Sequence, residues 1–88
     1  MSPYDLASEL LGHMPLTNWQ VAELRAIDRK YQQRLYTLLH RDDAAAPRAE
    51  QALTEEEVEE LRARVVSDIL AMLTPEQRAL VAARATAR

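Results

Sequence analysis

Apolar residues recur at spacings of three and four in four separate stretches of the chain. Leu6, Leu10 and Leu11 mark a short first stretch. Val21, Leu24, Ile27, Tyr31, Leu35 and Leu38 mark a long second one. Val58, Leu61, Val65, Ile69 and Met72 form a third, and Leu80 and Val81 with several alanines a fourth. This period predicts helices over residues 3–11, 18–41, 55–72 and 75–85. At ~1.5 Å per residue the second would be about 35 Å long, so it needs a partner helix along most of its run. Between the two longer helices, Asp42-Asp43, Ala44-Ala45-Ala46 and Pro47 break the pattern and predict a loop over 42–53. The expected fold is all-α: an antiparallel helical hairpin with short flanking helices, four helices in one domain.

The helix starts share one design. Leu-Thr-x-x-Gln occurs at Leu16-Thr17-Asn18-Trp19-Gln20 and again at Leu73-Thr74-Pro75-Glu76-Gln77, with a variant at Leu53-Thr54-Glu55-Glu56-Glu57. In such a capping box the Thr hydroxyl accepts from the amide three residues on, and the Gln or Glu there reaches back to the Thr amide. Leu16 and Leu53 are placed as hydrophobic staples with Val21 and Val58 as their partners. The third copy has Arg78 at that position, but carries Pro75 at the first helical position, where a missing N–H costs nothing. On this purely structural reading, Thr17→Ala and Thr74→Ala cost roughly 0.5–2 kcal/mol each, and Gln20→Ala costs less. Ser2-Pro3-Tyr4-Asp5 opens the first helix in a similar way. Gly12 stops that helix, and Pro15 keeps the chain extended before Leu16.

Composition narrows the function classes. An 88-residue chain with no cysteine has a marginal core and no covalent staple, which makes a homodimer the expected route to extra burial. The net charge of −3 argues against a general nucleic-acid binder. No stretch approaches the ~20 apolar residues of a membrane span. Residues Ser2 to Leu11 contain Asp5 and Glu9 and have no basic start, so they do not read as a signal peptide. Glu55, Glu56, Glu57, Glu59 and Glu60 open the third helix, and a hairpin would set them beside Arg34, His40 and Arg41. The plain reading of that acidic start is a solvated face.

Catalytic chemistry has little to stand on. The sequence offers no cysteine, no Ser-His-acid spacing and no Gly-rich phosphate loop, so no enzyme and no cofactor is expected. Neither His13 nor His40 has a Glu three residues before it, as a di-iron helix pair would require. The two imidazoles are read as a hinge residue and a helix-end cation, and no metal site is assigned. Trp19, beside the capping Thr17, either covers the end of a neighbouring helix or anchors a partner, the first being preferred. Tyr31 continues the core stripe, whereas Tyr36 falls on another face.

The doubled motif resembles that of the Spy/CpxP family of periplasmic stress proteins, which includes CnrX-type metal-resistance sensors. Those proteins are all-helical, with one LTxxQ motif near the start of a long helix and another, often LTPEQ, near the end of the domain. Leu16, Thr17 and Gln20 match the first, and Leu73, Thr74, Pro75, Glu76 and Gln77 match the second, covering about Leu16 to Arg84. The resemblance implies a non-enzymatic binding protein, a homodimer that holds unfolded protein clients or adapts a stress sensor, in the periplasm. A cytoplasmic location is the alternative, because no leader is visible. The residues expected to meet a partner are Trp19, Arg25, Arg29, Lys30, Arg34 and Tyr36. Two other functions stand beside this one: a small accessory subunit of a larger assembly, and a metal-resistance sensor. The His-x-x-x-His pair of the CnrX-type sensors is missing here.

Overall fold

A computed structural model describes residues 2–40 and 53–86. Its described residues form four helices and no strand: α1 (Pro3–Leu11), α2 (Asn18–His40), α3 (Glu55–Met72) and α4 (Pro75–Thr86). The expected all-α class with four helices is what the structure shows. Arg41 and residues 42–52 of the expected loop lie outside the described residues. None of the described helices is long and apolar enough to cross a membrane.

Each helix begins where its cap dictates. Ser2, in extended backbone, accepts from the Asp5 amide at 3.3 Å, and Pro3 occupies the first turn of α1. Thr54 caps α3 with a complete box: its hydroxyl accepts from the Glu57 amide at 3.1 Å, and Glu57 Oε1 accepts from the Thr54 amide at 2.9 Å. Helix α1 ends at Gly12, whose φ of 60° is a backbone state that side chains disfavour.

The core is built by three helices. Leu6, Ala7 and Leu11 of α1 meet Leu24, Ile27 and Tyr31 of α2 and Leu61, Val65, Ile69 and Met72 of α3, with Leu73 beneath them. Helix α4 contributes no buried residue, though Val81 packs partly against the core. The start of α2 lies beside the end of α3, where Gln20 reaches Met72. The last turns of α2 line a groove with the first turns of α3.

Three apolar positions depart from the expected stripes, among them Leu80 of α4, which is exposed. Val21 is 37% exposed and Val58 39% exposed. On α2 the reason is angular: the buried stripe runs Gln20, Leu24, Ile27, Tyr31, at spacings of four, three and four. The inward position in the first turn therefore belongs to a glutamine, and Val21 lies about 100° round the helix from it. Val58 stands in the opening turn of α3, before the stripe of Leu61, Val65 and Ile69 is under cover.

Candidate functional site

The two LTxxQ motifs, 57 residues apart in sequence, meet in space through their glutamines. Each first makes its own capping box. Gln20 N donates to Thr17 Oγ1 at 3.1 Å, and Thr17 N donates to Gln20 Oε1 at 3.0 Å. Gln77 N donates to Thr74 Oγ1 at 3.2 Å, and Thr74 N donates to Gln77 Oε1 at 2.9 Å. The side-chain amides then bond to one another. Gln20 Nε2 donates to Gln77 Oε1 at 2.6 Å, and Gln77 Nε2 donates to Gln20 Oε1 at 3.3 Å.

The remaining hydrogen on each amide nitrogen finds a carbonyl. Gln20 Nε2 donates to Met72 O at 3.2 Å, and Gln77 Nε2 donates to Pro15 O at 3.4 Å. Met72 stands five residues before Gln77, and Pro15 stands five before Gln20. The arrangement is therefore a local pseudo-twofold: each glutamine caps its own helix, bonds its counterpart, and holds a backbone carbonyl just ahead of the other helix. Both amide hydrogens and two acceptor positions of each side chain are used, which is the full inventory of a carboxamide. The amide orientations follow from the network, because the backbone donors Thr17 N and Thr74 N require oxygen opposite them.

Burial explains why the network must be complete. Gln20 is 2% exposed, the one polar residue in an otherwise apolar interior among the described residues. A carboxamide taken out of water without partners costs several kcal/mol, roughly 2–7 by transfer scales. Among the described residues no buried side-chain polar atom lacks a partner. Leu16 is half-buried and Leu73 buried, whereas Thr17 and Thr74 stay at the surface.

A second tie joins α4 to α1. Arg84 Nη1 donates to Leu10 O at 3.1 Å, one of the carbonyls left over at the end of α1. Helix α1 has no basic residue in its last turn, and the guanidinium from α4 supplies the positive charge that this helix end favours. Gly12 makes the approach possible: a Cβ there would stand 2.7 Å from Arg84 Nη1.

The residues expected to contact a partner do not share one face. Arg25 and Arg34 are nine residues apart, which at ~100° each sets them on opposite sides of α2. Lys30 and Arg34 line a groove of about 570 Å³ with Leu38, Glu57, Glu60 and Leu61. Arg34 is thereby brought beside the acidic start of α3, where Arg64 Nη2 and Glu60 Oε1 form an ion pair at 3.0 Å. Arg25, Arg29 and Tyr36 are exposed on the outward side of α2. His40 stacks on Tyr36 with ring centroids 4.0 Å apart.

Trp19 corrects the preferred reading of its role. It is 61% exposed rather than packed over a helix end, because the inward place in that turn is taken by the next residue, Gln20. His13 is exposed in the α1–α2 connection, and no group of three or more His, Cys, Asp or Glu among the described residues could hold a metal ion. Sequence reasoning found both capping boxes but missed their union and the role of Arg84. The sign of the first was the shared spacing: two Leu-Thr-x-x-Gln starts carry equal glutamines at equal offsets. No local pattern announces the second. No family model, curated protein or solved structure matches this chain.

Proposed function

We propose that this chain is a non-enzymatic, protein-binding helical module of the Spy/CpxP kind, built as an antiparallel hairpin of α2 and α3 and acting as a homodimer. The observation that carries the reading is the interlocked pair Gln20–Gln77. It gives a physical reason for a protein to hold this motif twice, at the start of its long helix and at the start of its last one. The binding surface is the outward side of α2. Asn18, Trp19, Ala22, Arg25, Ala26, Arg29, Gln32, Gln33, Tyr36, Thr37 and His40 share that half of the helix, and none is acidic.

Within a chain of net charge −3, this is a basic face. Neither Arg25 nor Arg29 makes an ion pair among the described residues, and Trp19 and Tyr36 stand exposed on the same half. Long-range attraction of acidic segments followed by aromatic contact suits the capture of unfolded clients. A periplasmic location accompanies the family reading. The test is suppression of aggregation of an unfolded client at sub-stoichiometric amounts, with protection that weakens from low to physiological salt. No protection at either salt concentration sinks the reading.

One observation favours a second reading, an accessory subunit held in a larger assembly. Helix α4 buries none of its residues and leaves Leu80 largely exposed. Sedimentation of the isolated chain separates the two: a stable, well-folded dimer supports the first, and an aggregating chain supports the second.

A further inference from the structure

We infer that α4 is a reversible strap: it docks on and lifts from the three-helix body as one unit, hinged at Leu73–Thr74 and fastened by the Gln20–Gln77 pair and by Arg84. The first ground is the division of the core. Among the described residues every buried apolar residue comes from α1, α2, α3 or the junction residue Leu73, and none comes from α4. Lifting α4 therefore withdraws no buried side chain from the body and gives up only partial apolar contact, that of Val81.

The second ground is the way α4 is attached. Its near end is held by Gln77, through Gln20 and Pro15 O, and its far end by the Arg84 bond to Leu10 O. Beside the far tie lies a groove of about 400 Å³, with Glu9, Leu10 and Arg62 on the body side and Val81, Arg84 and Ala85 on the strap side. A helix packed for good closes such a space with side chains. Here the Arg84 bond to Leu10 O reaches across it.

The third ground is that the latch comes apart into complete halves. When α4 lifts, Gln77 keeps its capping box with Thr74, and Gln20 keeps its box with Thr17 and its bond to Met72 O. Only the two amide–amide bonds, the bond to Pro15 O and the Arg84 tie are exchanged for water. Thr74 and Pro75 hold the first turn of α4 in either state, whereas the later turns of a 12-residue helix are marginal in water once undocked and open with the lifting step. The junction already has extended backbone at Leu73, with φ −81° and ψ 150°. Small changes of dihedral angle there swing the whole helix.

Native-state hydrogen exchange on the full chain tests the proposal. Amides of α4 beyond its first turn are expected to exchange through one common opening, at least tenfold faster than those of Leu24, Ile27 and Ile69, with little dependence on added urea. Arg84→Ala and Gln77→Ala should each speed exchange in α4 by roughly tenfold and leave the most protected amides of α2 and α3 unchanged relative to global stability. Arg84→Ala is the stricter variant, because it leaves both capping boxes in place. Exchange of α4 at the same rate and with the same urea dependence as the core overturns the strap. So does a fraying gradient that runs from Thr86 inward with no common rate, or an Arg84→Ala effect spread equally over all four helices.

Discussion

Gln20 and Gln77 form a closed amide pair in which each side chain uses its whole hydrogen-bonding capacity. One of the two sits inside the apolar core at the position where the α2 stripe would otherwise place an aliphatic residue. A buried amide of this kind is specific because it is costly to leave unpaired. Any other register of α2 against α3, or of α4 against α2, strands donors or acceptors.

The first consequence concerns the ranking of the cap variants. Taken as a helix start alone, Gln20 should matter less than Thr17. The structure reverses that expectation, since Gln20→Ala strands Met72 O, half of the Gln77 amide and the Thr17 amide around a new cavity. We expect a loss of about 2–4 kcal/mol, against about 0.5–2 for Thr17→Ala. Urea melts of the two variants decide it: a Gln20→Ala midpoint at or above that of Thr17→Ala contradicts the buried role.

The pair should also show energetic coupling. Gln77 is half-buried, and water can enter the place its side chain leaves beside Gln20, so Gln77→Ala alone should cost roughly 1–2 kcal/mol. In the double variant neither amide is stranded by the other. The combined loss should fall short of additivity by about 0.5–3 kcal/mol, the usual range for residues in one network. Strict additivity would mean that the amide–amide bonds contribute nothing.

Much of the fold is legible in the sequence because its helix starts are local. Ser2, Thr17, Thr54 and Thr74 each meet a partner three residues on, and the bonds at 2.9–3.3 Å need no knowledge of the rest of the chain. The apolar period likewise reports Leu24, Ile27 and Tyr31, and Leu61, Val65 and Ile69, as inward. The site is less legible, for two physical reasons. A hydropathy stripe counts Gln20 as polar and moves the face to Val21, and the place of Trp19 beside the capping Thr17 does not say which way its ring turns. Bonds such as Arg84 to Leu10 O join residues 74 apart, and nothing in the neighbourhood of either one signals the other.

Gly12 gives a sharp test of the α1–α4 contact. Its φ of 60° alone should make Gly12→Ala cost about 1–3 kcal/mol. The added Cβ also meets the Arg84 guanidinium, at 2.7 Å from Nη1 and 3.1 Å from Cζ, so the Arg must swing away and give up Leu10 O. In an Arg84→Ala background that second part of the cost should vanish and only the backbone part remain. Thermal or urea midpoints of the two singles and the double measure it. A Gly12→Ala cost that is the same in both backgrounds would falsify the steric part of the argument.

The outward face of α2 should separate binding from stability. Trp19 and Tyr36 are exposed, and Arg25 and Arg29 make no ion pair among the described residues, so none of the four supports the core. Trp19→Ala and the charge reversal Arg25→Glu with Arg29→Glu should each leave the unfolding free energy within about 0.5 kcal/mol of the parent. Their effect on partner capture should be large and of two kinds. The reversal acts on encounter, so its deficit should be greatest at low salt and shrink as the Debye length falls from ~30 Å at 0.01 M to ~10 Å at 0.1 M. The loss of Trp19 removes contact area at an exposed anchor, so its deficit should persist at every salt concentration. Aggregation-suppression assays across that range, alongside urea melts, read both quantities. Full protection by the reversal variant at 0.01 M salt would remove the outward face of α2 from the binding mechanism.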